Sequence, residues 1–175
     1  MKNALVLVLA GILCALCFSA PAARSQERVI QLYEEDRAYW KDILADGSIA
    51  RKNQFYAAYV AYRERLTDLS IESFRETVNA NPAHGPVRII SCYYLGKNFF
   101  LQGNYAEAIE QFSMVKAIEP GSYGFIRHCA LLNTAIAYHR LKNGDKCREL
   151  LQLVISGDAD KTLKNAAQDI LKSVQ

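Results

Sequence analysis

The sequence predicts an all-α protein, a short stack of about three helix-turn-helix units, and three observations predict it. Turn signals recur at short intervals: Asp46-Gly47-Ser48, Asn81-Pro82-Ala83-His84-Gly85-Pro86, Gly103-Asn104, Glu119-Pro120-Gly121-Ser122, Asn143-Gly144-Asp145 and Ser156-Gly157-Asp158. Between them apolar residues are spaced by three and four, the period of a helix face, and no six-residue run alternates polar and apolar side chains as a half-buried strand would. The third observation is an internal repeat. Ser70-Ile71-Glu72-Ser73-Phe74 and Ala108-Ile109-Glu110-Gln111-Phe112 lie 38 residues apart, and Pro82 and Pro120 each follow the phenylalanine by eight residues.

Composition sets the outer bounds. With 175 residues, 51% hydrophobic and 22% charged, the chain has the length of one domain and the balance of a folded one, which excludes disorder and a polytopic membrane protein.

The first element, residues 1–22, has the layout of a signal peptide: Lys2, an uncharged apolar run over residues 4–20, and the small residues Ala20-Pro21-Ala22. Cleavage is expected after Ala22, giving a periplasmic or secreted protein. Uncleaved, this segment would be its only membrane contact. Removing it takes away one lysine and no acid, so the formal charge falls from +3 to +2. The basic residues are scattered among acids, so no basic face for nucleic acid is expected.

Residues 23–49 are expected to hold an N-terminal helix over 28–45, because Val29, Leu32, Tyr33, Trp40 and Leu44 keep a helical spacing. Glu34-Glu35-Asp36 on it reads as a solvated face. The repeat region spans residues 50–157. Its first unit holds Ala57-Ala58 and Tyr62, then Ser70 and Phe74; its third holds Leu131, Thr134-Ala135 and Tyr138, then Gly144 and Leu150-Leu151. The turn at Lys142-Asn143-Gly144-Asp145 reads as longer than usual. Residues 158–175 end the chain with an amphipathic helix over 162–174, with Asp160 as its N-cap.

The second unit carries the fullest pattern: Cys92-x-x-Leu95-Gly96-x-x-Phe99, then Gly103, Tyr105, Ala108, Phe112 and Pro120. This resembles the tetratricopeptide repeat, with Cys92 where an aromatic is usual and Phe99 where a tyrosine is. The resemblance implies a short right-handed superhelical solenoid of about three units with N- and C-terminal capping helices. It makes Gly96 and Ala108 small because two antiparallel helices cross there.

The resemblance also implies where the chain would act, since such repeats bind protein or peptide on the concave side. Carried across residue by residue, the inner positions are Lys52, Phe55, Tyr59, Tyr62 and Arg63 in the first unit. They are Ile90, Tyr93, Lys97 and Phe100 in the second, and Leu132, Ile136, His139 and Arg140 in the third. Aromatic rings there offer large contact area, and the interleaved cations attract an acidic or C-terminal segment. Phe55, Tyr59 and Tyr93 stand where the carboxylate clamp of chaperone-binding members needs polar residues, so that clamp is not expected. The groove would be open to a partner, or filled by the helix over 28–45 or by a second copy of the chain.

No catalytic or cofactor-binding pattern is present in the sequence. His84, His128 and His139 have no ligand-type spacing with cysteine or carboxylate, and no glycine-rich phosphate loop, Gly-x-Ser-x-Gly or His-Glu-x-x-His occurs. The expectation is therefore a non-catalytic scaffold without metal or cofactor. Three cysteines lie beyond residue 22. If two of them pair, Cys92 with Cys129 is the expected bond, because both begin parallel helices of neighbouring units.

Overall fold

Three turns of one design give the chain its repeat. Arg65, Gly103 and Lys142 each adopt the left-handed conformation, with φ of 60°, 81° and 60°. At each turn the next residue donates its backbone N–H five residues back: Leu66 to Ala61, Asn104 to Phe99 and Asn143 to Tyr138, over 2.9–3.0 Å. The left-handed residue itself bonds three back, to Tyr62, Phe100 and His139. That pair of bonds is the Schellman closure of a helix C-terminus, which satisfies two otherwise orphaned carbonyls. The third turn is thus no longer than the others, and the units repeat at intervals of 38 and 39 residues.

The computed structural model describes residues 30–35, 39–45, 51–81, 85–116 and 123–174, and all regular elements among them are helices. A single short turn, α1 (Trp40–Ile43), precedes three antiparallel pairs: α2 (Lys52–Arg63) with α3 (Thr67–Ala80), α4 (Pro86–Leu101) with α5 (Tyr105–Lys116), and α6 (Gly124–Arg140) with α7 (Gly144–Ser156). Each pair packs on the next, and α8 (Lys161–Ser173) closes the stack against α7. This is the expected helical solenoid. Asp160 caps α8 as anticipated, its carboxylate accepting the Leu163 N–H at 2.9 Å.

Packing follows from the small residues. An added Cβ on Gly96 would stand 2.7 Å from the Phe112 ring, and Ala108 and Phe112 are fully buried, so α4 and α5 approach closely only because position 96 is bare. Between the first and second units the buried Asn98 amide donates to Ser70 Oγ at 3.0 Å, and Ser70 Oγ in turn donates to the Ala58 carbonyl at 3.3 Å. Such satisfied polar chains fix register inside an apolar core.

The N-terminal helix is the part of the expected fold that the structure corrects. Residues 30–35 are not helical, and the helix that follows is confined to Trp40–Ile43. The physical reason is that other residues satisfy this backbone. Tyr33 N–H donates to Asn133 Oδ1 at 2.8 Å, the Asn133 amide donates back to the Tyr33 carbonyl at 3.2 Å, and Arg140 donates to the Ile30 carbonyl at 2.6 Å. Groups that a helix would pair internally are paired across the molecule instead. The expected signal segment and its cleavage site lie outside the described residues. Among the described residues no helix is long and apolar enough to cross a membrane.

Candidate peptide groove

The inner helices α2, α4 and α6 form the walls and floor of a groove, and residues 30–35 and 39–45 lie along it. Pairwise contacts give the direction: Ile30 meets Arg140, Tyr33 meets Asn133, and the Tyr39 ring stacks on Phe125 at 3.6 Å, so the segment runs antiparallel to α6. It also runs antiparallel to α2, with Glu34 at Tyr62 and Trp40 among Phe55, Tyr56 and Tyr59. We call it the strap.

At the groove centre stands Lys97, whose side chain is 0% exposed. Its ammonium sits within 5.1–5.5 Å of the ring centres of Tyr62, Tyr93 and Tyr94, a three-sided aromatic cage. The fourth side is closed by the strap. Lys97 Nζ donates to Glu35 at 2.9 Å and also to Glu34. The same three tyrosines donate their hydroxyls to the same two carboxylates: Tyr62 to Glu34 at 2.7 Å, Tyr93 to Glu35 at 2.9 Å, and Tyr94 to Glu35. The Glu35 side chain is 4% exposed, whereas the Glu34 side chain keeps 51% of its surface in solvent. Of the acids expected to form a solvated face, Glu34 and Glu35 are therefore ion-pair partners of Lys97, and Asp36 lies outside the described residues. A buried ammonium needs a paired anion, and α4 lacks one at this level, so the strap supplies both.

Burial, with Glu35 beside them, holds the Tyr93 and Tyr94 hydroxyls well above the usual phenol range; burial and Glu34 do the same to Tyr62. All three are therefore donors at neutral pH, which suits them to carboxylates.

The expected inner stripe divides in the structure. Tyr62, Tyr93, Lys97 and Arg140 bind the strap through polar groups, and Phe55 and Tyr59 hold Trp40. Phe100 is buried below the Arg140 guanidinium, 6.0 Å from ring centre to charge, and Ile90, Leu132 and Ile136 are buried. Lys52, Arg63 and His139 lie on the more exposed rim, where Arg63 donates to Tyr59 Oη at 3.3 Å. Of the alternatives left open for this stripe, an open groove and one filled by the N-terminal segment or a second copy, the folded chain has most of these side chains covered.

Sequence reasoning missed one column of the repeat. Tyr56, Tyr94 and Asn133 each stand nine residues before the left-handed turn residue of their unit, and all three touch the strap. The signal was available once Arg65 and Lys142 are recognised as equivalents of Gly103. The neighbouring column, six residues before the turn, is Tyr59, Lys97 and Ile136, so the middle unit places the column's single cation at the groove centre.

The expected pairing of Cys92 with Cys129 is not formed: Cys92, Cys129 and Cys147 are free and buried. Burial pushes all three thiols up, Cys92 to about 11, which makes them inert packing groups.

Residues 93–122 match the tetratricopeptide repeat family model, which covers the second unit from the middle of α4 through α5. No curated protein matches the chain. Repeats of this family typically mediate protein–protein interaction, and the helical stack described above is consistent with such a repeat.

Proposed function

We propose that the protein is a non-catalytic interaction scaffold whose groove between α2, α4 and α6 holds an extended protein segment. The observation that carries this reading is Asn133. Its side chain both donates to and accepts from the backbone of Tyr33, two hydrogen bonds that read main chain in extended form and are independent of side-chain identity. A groove that grips backbone in this way, flanked by an aromatic pocket for Trp40 and a cationic centre for two acids, is suited to a peptide ligand.

The reading includes export. Residues 1–22 act as a cleaved signal peptide, and the scaffold works in the periplasm or outside the cell. The mass of the mature chain from native cells tests that part, with Ala23 expected as its first residue. Recovery of the chain with residues 1–22 intact in the cytosol would refute it.

The groove assignment is tested in living cells with a photo-crosslinking amino acid at His139 or Lys52 on the rim, against Met114 and Leu153, exposed on α5 and α7. Partner polypeptides should be trapped from the rim positions alone. Equal yields from both pairs would reject the groove as the binding face. The same measurement addresses the reading in which the groove serves only the chain itself, which the seated strap favours: rim positions would then yield intramolecular products or dimers of the chain.

A further inference from the structure

We infer that the groove centre is a receptor for two consecutive acidic residues in an extended protein segment, and that the strap's Glu34-Glu35 occupies it as an internal stand-in for a partner. The inference rests on the peptide-groove reading above and adds the chemistry of the ligand.

Three observations support it. Among the described residues, the groups that hydrogen-bond the two carboxylates are all donors: the Lys97 ammonium and the hydroxyls of Tyr62, Tyr93 and Tyr94. A donor set with one positive charge, closed by aromatic rings, selects carboxylates and rejects amides or cations. Second, the ammonium is fully buried under the strap, and Glu34 and Glu35 are its ion-pair partners. When the strap lifts away the cage is left with a charge and no counter-ion, a state that favours entry of another acidic pair over an empty groove. Third, the strap is held by groups that any chain of similar form can match. Asn133 and Arg140 bind its main chain, and Glu34 is half exposed, so the edge of the contact is open to exchange.

The occupant we assign is therefore a protein partner that presents an apolar residue and two adjacent glutamates in extended conformation. It competes with the strap for Lys97. The strap closes the groove in its absence.

The test uses the full chain as wild type and as the loosened variant Glu34→Gln/Glu35→Gln. Two labelled peptides with the sequence of residues 30–45 serve as probes, one with Glu at positions 34 and 35 and one with Gln, and fluorescence anisotropy reads the binding. The loosened chain is expected to bind the Glu-Glu peptide at least tenfold more tightly than wild type does, and at least tenfold more tightly than it binds the Gln-Gln peptide. Adding Lys97→Met should erase the difference between the peptides. If the loosened variant loses wild-type helicity, Trp40→Ala, which frees the other end of the strap, takes its place with the same expectations.

Equal binding of the two peptides by the loosened chain would overturn the acidic preference while leaving the groove a peptide site. Binding of neither peptide by a loosened chain of wild-type helicity would overturn the receptor itself, and the crosslinking experiment would then judge the groove independently. A wild-type chain that is dimeric and becomes monomeric with Glu34→Gln/Glu35→Gln would overturn the assignment in favour of a second copy as occupant.

Discussion

The interface between α4 and α5 and the interface between the strap and the groove use opposite chemistry. The first is apolar and tight: the bare Gly96 receives the Phe112 ring, with Ala108 beside it, and there is nothing for water to solvate. The second combines carboxylates, phenols, an ammonium and backbone amides, each with an alternative partner in water, with the buried apolar side chains Leu32, Trp40 and Leu44. An apolar interface opens only with loss of the fold, because its stability comes from surface hidden from solvent. A polar contact exchanges one partner for an equivalent one at modest net cost, since a typical hydrogen bond contributes only about 0.5–1.5 kcal/mol over its hydrated alternative, whereas leaving the buried Lys97 ammonium without an anion is strongly unfavourable. The stack is thus permanent, and the polar contacts of the strap are its exchangeable part.

Alkali should defeat both regions together, and it is the largest effect expected. Tyr62, Tyr93 and Tyr94 have folded pKa values above that of a free phenol, so the stability they confer is complete below pH about 10 and is lost as pH climbs toward the folded values. Tyr94 also packs against Phe55 and Phe74, which ties groove and core to the same titration. Phenolate absorbance followed alongside circular dichroism should show a set of tyrosines that ionise only as helicity disappears. Free titration of all ten tyrosines in a still-helical chain would separate the two regions after all.

Phe112→Ala should sharpen the contrast, costing about 3–5 kcal/mol in urea unfolding because it empties the cleft opposite Gly96. Gly96→Val attacks the same contact from the other side and should cost about 1–3 kcal/mol by overpacking. Both are expected to weaken the whole helical signal in one transition. Asn133→Ala acts on the other region, removing two strap hydrogen bonds for about 1–2 kcal/mol. Its effect should appear as about tenfold faster hydrogen exchange at residues 30–35, with α5 unchanged. Faster exchange in α5 as well would mean that the strap is part of the cooperative fold.

The stack was legible in the sequence and the strap was not. Ser70 to Phe74 and its counterpart around Phe112 mark a period directly, and Gly96, Ala108 and Pro120 have local reasons to be what they are. The third turn reads as longer than usual in the sequence because only Gly103 advertises a left-handed residue; Arg65 and Lys142 do the same work without a glycine. The strap misled for a different cause. Val29, Leu32, Tyr33, Trp40 and Leu44 keep helical spacing, and what prevents a helix is a set of partners about a hundred residues away at Asn133 and Arg140. Local pattern cannot carry that information. Nor could it say that Lys97, one lysine among many, would be caged by three rings and need Glu35.

The strap is tied to its receptor by few residues, since Ala45 and the start of α2 at Lys52 are only seven positions apart. A short tether presents its own ligand at an effective concentration on the order of 1 mM. If the untethered segment bound the groove with a dissociation constant of about 10 μM, the tethered one would keep it closed about 99% of the time and raise a rival's apparent dissociation constant about a hundredfold. Weak contacts then suffice to set a threshold. Scarce or poorly matched segments fail to cross it, and only a rival that is abundant, or better fitted to the lysine cage than Glu34-Glu35, is admitted.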